Sequence, residues 1–217
     1  MLSANEANRQ YFYEAYRTGE HGWAADTPSP YAVAFLERVK HLAPQGKLLD
    51  IGCGEGRHSI AAARLGFRVT AVDYEPLALR RARRFAASSH IKGILFREAN
   101  VFCLPFPDSC FDVVLDYGCL HHQRKSDWRP YVTSILRVLK PRGFYVLSLF
   151  SPDFAFFRRR SKPWHIAQGA YRRCFTREEI VGLFGQDFDV LEITHQYGDD
   201  GGFWHALMRR RERPGSP

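Results

Sequence analysis

The stretch Asp50-Ile51-Gly52-Cys53-Gly54-Glu55-Gly56 sets three alternate glycines directly after a short apolar run. One acid stands two residues before the first glycine and another lies inside the turn. Alternate glycines allow backbone conformations closed to other residues and let a ligand press against the main chain. A further carboxylate, Asp73, ends the next apolar run 17 residues after Gly56. An acid at that place can accept both hydroxyls of a ribose; its bland alternative is a cap on the following helix. Turn and acid together point to a nucleoside-containing ligand. A dinucleotide fingerprint spaces its glycines G-x-G-x-x-G to admit a pyrophosphate at a helix N-terminus, whereas the spacing here is G-x-G-x-G. Two acids beside the turn repel a pyrophosphate and suit a ligand bearing an ammonium and a sulfonium.

A second group of reactive side chains ends a later apolar run, in Asp116-Tyr117-Gly118-Cys119-Leu120-His121-His122. Ligands of open α/β sheets bind beyond the C-terminal ends of the strands. Asp116 there can bind an amine, orient an acceptor or act as a base. His121 and His122 are candidate proton acceptors, since imidazole titrates near neutrality; alternatively one packs or caps while the other is exposed. Cys119 beside two histidines superficially suggests a metal site. Adjacent histidines seldom aim at one ion and no carboxylate spacing supports them, so no metal is expected.

These residues need a scaffold, and the chain alternates strand-like and helix-like segments from about Lys47 onward. Lys47–Gly52, Phe67–Asp73, Gly93–Glu98, Phe111–Asp116 and Gly143–Phe150 read as five strands. Ser59 to Leu65 is alanine-rich and helix-forming, and Pro76 opens another helix where its missing N–H costs nothing. Trp128, Tyr131, Val132, Ile135, Leu136 and Leu139 recur at helical spacing before Pro141-Arg142-Gly143 ends the run. Thr176-Arg177-Glu178-Glu179 is a capping box. Phe188–Thr194 and Phe203–Met208 read as the last two strands, joined across Gly198–Gly202 as an antiparallel hairpin. Such alternation predicts a largely parallel sheet covered by helices on both faces, an α/β three-layer sandwich. The first 30 residues differ. Tyr11, Phe12, Tyr13, Tyr16 and Trp23 crowd ahead of Asp26-Thr27-Pro28-Ser29-Pro30, either as a lid over the site or as packing against the domain. An amphipathic helix with Tyr31, Phe35, Val39 and Leu42 on one face follows.

At 217 residues, 45% hydrophobic and 14% aromatic, the chain suits a single domain over residues 1–217. No apolar run approaches the roughly 20 residues that cross a bilayer, and Met1 to Glu6 lack the pattern of a secretory leader. Five cysteines without paired spacing argue against a disulfide framework, so a cytoplasmic setting is expected. The net charge of +8 gathers in arginine runs at 80–84, 158–160, 172–173 and 209–211. They read as solvated helix faces and a tail, with nucleic acid as the alternative.

The glycine turn resembles motif I of class I S-adenosylmethionine-dependent methyltransferases, and Asp73 falls where their ribose-binding acid does. The resemblance continues through Leu104-Pro105-Phe106-Pro107-Asp108-Ser109-Cys110-Phe111-Asp112 and through Leu136-Arg137-Val138-Leu139-Lys140-Pro141-Arg142-Gly143. It implies a Rossmann-like, seven-stranded sheet of order 3-2-1-4-5-7-6 with the last strand antiparallel. It also implies S-adenosyl-L-methionine as cofactor and S-adenosyl-L-homocysteine as product. Gly52, Gly54 and Gly56 would line the methionine end, with Asp50 reaching its ammonium. Tyr74 would cover the adenine, and Asn100 and Val101 would read its amino group and ring. Asn100 departs from the usual Asp, keeping an acceptor oxygen but not the charge. Gly56-Arg57-His58-Ser59 and the aromatic N-terminus are similar to the thiopurine methyltransferase and tellurite-resistance group. That likeness implies a lid over residues 1–30 in which Trp23 caps the cofactor. It further implies an acceptor-pocket insertion over 151–175, with Arg158, Arg159 and Arg172 near the acceptor.

The expected reaction is therefore methyl transfer to a small-molecule acceptor, by a thiol, halide, hydroxyl, amine or carbon atom, with Asp116 or His121 as the candidate catalytic group. The alternatives are an RNA methyltransferase using the basic surface and a non-catalytic or NAD-binding protein on a similar scaffold. The acceptor and the oligomeric state stay open.

Overall fold

In the computed structural model, which describes residues 4–19, 21–23, 26–43, 45–197 and 201–212, the apolar runs around the glycine turn form the middle of one sheet. β1 (Lys47–Ile51) pairs in parallel with β2 (Arg68–Asp73) on one side and β4 (Phe111–Tyr117) on the other. β3 (Leu95–Glu98) extends the sheet beyond β2, and β5 (Leu139–Phe150) extends it beyond β4. The far edge is a hairpin of β8 (Phe188–Gln196) and β9 (Phe203–Arg210), with β9 antiparallel to both β5 and β8. Among the strands of this sheet the order is the expected 3-2-1-4-5-7-6.

Strand alternation splits the interior into two layers. Leu48, Val113, Leu115, Val146 and Leu207 face one way, onto α2 (Pro30–Leu42), α3 (Arg57–Arg64) and α4 (Pro76–Ser88). Leu49, Ile51, Val114, Tyr145 and Met208 face the other way, onto α5 (Trp128–Val138) and α6 (Arg177–Phe184). Burial of both faces explains why these strands read as continuous apolar runs. The capping box at Thr176 and Glu179 forms with both reciprocal bonds, and Pro76 stands in the first turn of α4.

Several boundaries move from their expected places. β3 begins at Leu95, because Gly93 takes φ +83°, outside the extended conformation of a strand. β5 begins at Leu139, which already pairs with Phe111. Pro141-Arg142-Gly143 is therefore an irregularity inside a strand, with Arg142 at φ +60°, and the helix before it stops at Val138. The crowded N-terminus is a full helix, α1 (Ala4–Thr18). Residues 151–175 contain a separate two-stranded hairpin, β6 (Trp164–Ala167) and β7 (Ala170–Arg173), that the sequence pattern did not announce. Of the turn expected at 198–202, residues 198–200 lie outside the described part. So do residues 1–3, 20, 24 and 25 of the expected lid.

Candidate active site

β1 ends in the glycine turn because no side chain fits there. Gly52, Gly54 and Gly56 take φ of +64°, +54° and +85°, a region costly for residues with a Cβ. A Cβ on Gly52 would stand 3.0 Å from Cys119 Cβ, and one on Gly54 would stand 2.9 Å from the Tyr16 hydroxyl. Gly56 serves a different contact, since its Cβ would meet Ala82 of α4 at 3.1 Å. Its need for glycine comes from helix packing as well as from the turn. The next residue, Arg57, starts α3.

Asp50 and Asp73 are buried on either side of this turn. Asp50 points to the α3 layer and accepts from the Ser59 hydroxyl at 2.5 Å. Asp73 accepts from the Gly54 amide and from the Glu75 amide, both at 2.9 Å. Burial raises the Asp73 carboxyl to about 6, against the lowering effect of those two amides. Burial likewise raises Asp50 to about 7; the Ser59 bond and Arg57 pull it down, while Asp116 and Asp73 push it up. Two carboxylates held this high are ready to ionise toward a cation. The Tyr74 hydroxyl is buried beside them without a hydrogen-bond partner. The glycine cradle, the two acids and this unsatisfied hydroxyl suit a nucleoside carrying an ammonium.

Asn100 caps the short turn of Val101–Cys103, its Oδ1 accepting from the Phe102 amide at 3.0 Å. Val101 packs half-buried on the α5 side of the core and its carbonyl accepts from Ser134 at 2.5 Å. Trp23 donates its indole N–H to the Tyr16 hydroxyl at 3.2 Å and stacks on His21. Within the N-terminal segment the Tyr16 hydroxyl reaches the turn at Gly54, His21 lies 3.5 Å from Glu55, and the Trp23 carbonyl accepts from Arg57 at 3.4 Å. Tyr16 carried no signal beyond being one aromatic among several.

Asp116 stands elsewhere than the sequence suggested. It lies beside Ile51 in the sheet register, so its side chain leaves the sheet on the α5 face, opposite to Asp50. It is fully buried and its carboxylate accepts from the hydroxyls of Tyr131 and Tyr145 at 2.7 and 2.8 Å. The amides of Cys119 and Leu120 add bonds at 2.8 and 3.4 Å. An acid enclosed by four donors anchors the loop after β4, and this geometry gives no place for it as a base.

The two histidines have opposite tautomers, fixed by groups that can only donate or only accept. His121 Nδ1 accepts from the Phe150 amide at 3.3 Å, so its proton sits on Nε2. Its ring stacks on Phe150 at 3.6 Å, and burial drives its pKa well below the usual value. His122 Nδ1 donates to the Tyr171 carbonyl at 2.8 Å, leaving the Nε2 lone pair for an acceptor. Burial lowers His122 to about 4, only partly offset by the Tyr171 bond. His122 rather than His121 therefore presents the basic nitrogen.

α1 lies over this end of the sheet through specific bonds. Asn8 donates to the His122 carbonyl at 3.1 Å and accepts from the Tyr171 amide at 2.8 Å. Arg172 donates to the Tyr11 hydroxyl at 2.5 Å. Phe12 stands edge-on to both His122 and Tyr74, at 4.9 and 6.0 Å. Of the residues expected near an acceptor, Arg158 and Arg159 are exposed, and Arg172 alone reaches this cover. Among the described residues no cluster of His, Cys, Asp or Glu could hold a metal ion.

Sheet order, glycine turn and the acid ending β2 define a Rossmann-like α/β fold. Residues 48–143 match the protein family described as "Methyltransferase domain". A demethylmenaquinone methyltransferase of Tropheryma whipplei is 36% identical over 105 residues, covering 48% of this chain and 42% of that protein. A 2-heptyl-1-hydroxyquinolin-4(1H)-one methyltransferase of Mycobacteroides abscessus is 26% identical over 128 residues, covering 59% and 55%. The matched part thus spans about half the length of these curated relatives. The solved 1,6-didemethyltoxoflavin-N1-methyltransferase of Burkholderia thailandensis superposes with a TM-score of 0.77 at 25% identity, covering 98% of this chain and 92% of that one. It was crystallised with bound 1,6-didemethyltoxoflavin and S-adenosylhomocysteine. Residues 48–143 therefore resemble a methyltransferase domain, set within a Rossmann-like fold shared with the toxoflavin enzyme.

Proposed function

We propose that this protein transfers the methyl group of S-adenosyl-L-methionine to a small planar acceptor bound between the glycine turn and α1. The observation that carries this reading is the junction of the two buried acids, Asp50 and Asp73, with a glycine turn that excludes any Cβ. The cofactor supplies an already activated methyl group, so the chain's task is to align the acceptor and exclude water. Asp73 would hold the ribose, Asp50 the ammonium, and Tyr74, Asn100 and Val101 the adenine side. Gly52 and Gly54 would let the cofactor approach the main chain, and Trp23 would support Tyr16 above it. The half-buried His122 would orient the acceptor through Nε2. With a pKa of about 4 it accepts a hydrogen bond better than it removes a proton.

The aromatic wall of Phe150, Phe154 and Phe203, with rings 4.1–5.4 Å apart, favours a flat acceptor. The quinolone and toxoflavin relatives act on such molecules by their names. A thiol or chalcogen oxyanion, as the likeness to the thiopurine and tellurite-resistance group implies, is the second reading, and Arg172 within the cover is what favours it.

Calorimetry with S-adenosylhomocysteine and NAD, followed by mass-spectrometric screening of quinolone, quinone, phenol, amine, thiol and halide acceptors, tests the proposal. Binding of NAD in place of S-adenosylhomocysteine would sink it. Asp73→Ala should weaken S-adenosylhomocysteine by at least tenfold, about 1.4 kcal/mol; an unchanged dissociation constant would refute the ribose role.

Affinity should also depend on pH in a defined direction. The raised carboxyls of Asp73 and Asp50, at about 6 and about 7, must be ionised to hold an ammonium and a ribose. S-adenosylhomocysteine binding should therefore tighten from pH 5.5 to pH 8 and release protons at the acid end. A flat profile, with no dependence of binding heat on buffer ionisation, would remove both assignments.

A further inference from the structure

Basic charge is concentrated in one segment. From Phe154 to Arg177 the chain carries seven Lys and Arg side chains and no Asp or Glu, while its whole net charge is +8. The other arginine runs are largely spoken for. Arg81 pairs with Glu55 and Arg211 with Asp189, while Arg209 and Arg83 donate to carbonyls. Within the segment, Arg173 is buried against Glu179 and Arg172 is bound to Tyr11.

Arg158 donates to the Asp153 carbonyl at 2.5 Å, and what remains is an exposed run from Arg159 through Lys162 to Ile166. Arg160 and Lys162 lie over the rings of Phe156 and Trp164, at 4.2 and 5.4 Å. Among the described residues neither of them, nor Arg159, stands within ion-pair distance of a carboxylate. Beside these cations the β6 strand exposes Trp164 at 41% and Ile166 at 46%. Together they line a shallow hollow of about 490 Å³.

We propose that this hairpin face, Arg159, Arg160, Lys162, Trp164 and Ile166, docks the protein on the surface of an anionic phospholipid bilayer. Cationic heads seek lipid phosphates while their stems stay over apolar surface. An indole settles at headgroup depth and an isoleucine just below it. Nucleic acid would meet the same charge and the Trp164 ring, but it gains nothing from the exposed isoleucine beside them, which a bilayer buries. The docking face also abuts the site, since β7 next to it supplies the Tyr171 groups that bind His122 and Asn8. The surface stands on its own residues and does not depend on which acceptor is methylated.

The test is co-sedimentation of the full chain with phosphatidylcholine vesicles, with and without 30% phosphatidylglycerol, in ~0.1 M salt. Binding should require the anionic lipid and fall as salt screens it. Each Lys or Arg near such a surface is worth about a fivefold gain in binding. Arg160→Glu with Lys162→Glu should therefore weaken binding by at least ~20-fold. Trp164→Phe should abolish a blue shift of tryptophan fluorescence on binding, a control needed because the chain has four tryptophans. Unchanged S-adenosylhomocysteine affinity in each variant shows that the fold is kept. Failure of the wild type to sediment with anionic vesicles would overturn the proposal. So would equal sedimentation of the charge-reversed variant, or binding to a single-stranded RNA in place of vesicles.

Discussion

Asp116→Ala is expected to cost about 3–5 kcal/mol of folding stability, read as a lower urea midpoint at an unchanged slope. Four donors converge on this carboxylate, two tyrosine hydroxyls and two backbone amides. A buried donor left without a partner costs about 1–3 kcal/mol, and alanine removes the acceptor for all four at once while opening a small cavity. Native stabilities of about 5–15 kcal/mol make such a loss a large fraction of the whole. Tyr131→Phe with Tyr145→Phe should recover part of it, because the orphaned hydroxyls then disappear with their partner. Stability should also respond to pH through this residue. Burial raises the folded carboxyl to about 6 despite the bonds that lower it, against ~3.9 in an unfolded chain. Its contribution is thus fully present below pH ~4 and lost as pH rises through about 6. The wild type should lose stability over that window more steeply than Asp116→Asn. A role as catalytic base predicts the opposite pattern: full stability in Asp116→Ala with turnover abolished. That pattern would return Asp116 to the acceptor site.

The sequence placed Asp116 beside the reacting groups because it lies at the C-terminal end of a strand, and those ends of the parallel strands in an open α/β sheet face the ligand edge. It could not show which face of the sheet the side chain leaves by. That depends on register, and the pairing of Ile51 with Asp116 puts the carboxylate on the α5 side. Tyr131 shows the same limit. Its helical spacing correctly puts it inside, but its hydroxyl meets Asp116 through a contact 15 residues away in sequence. The glycine turn was legible because its chemistry is local: positive φ, a strand before it and a helix after it all lie within adjacent residues. Asp73 was legible for the same reason, standing at the end of the next strand. The β6–β7 hairpin was not, since Gln168 and Gly169 take φ of +52° and +85°. Such a pair of positive φ values usually belongs to Asn-Gly or Asp-Gly. The cover over the site stayed open between lid and packing because its fastening is an asparagine, Asn8, whose two bonds reach 114 and 163 residues along the chain.

Gly52→Val should abolish S-adenosylhomocysteine binding, weakening it by at least ~100-fold or about 2.7 kcal/mol, while the sheet still folds. Two separate costs meet at this residue. A φ of +64° is open to glycine but costs other residues roughly 1–2 kcal/mol, and more for a β-branched one. The added Cβ also stands 3.0 and 3.1 Å from Cβ and Sγ of Cys119, inside van der Waals contact. The chain can relieve both only by moving the turn, and the turn carries the Gly54 amide that Asp73 holds at 2.9 Å. Displacing it disturbs Asp73, the carboxylate proposed to hold the ribose, and closes the main-chain cradle together. The two costs separate experimentally. Cys119→Gly removes the steric partner but not the φ requirement, so it should restore only part of the affinity lost in Gly52→Ala. Full restoration would mean that contact with Cys119 alone demands glycine at this position. Wild-type affinity in Gly52→Val itself would mean that the cofactor does not lie against this turn, and the assignment of Asp50 and Asp73 to it would fall as well.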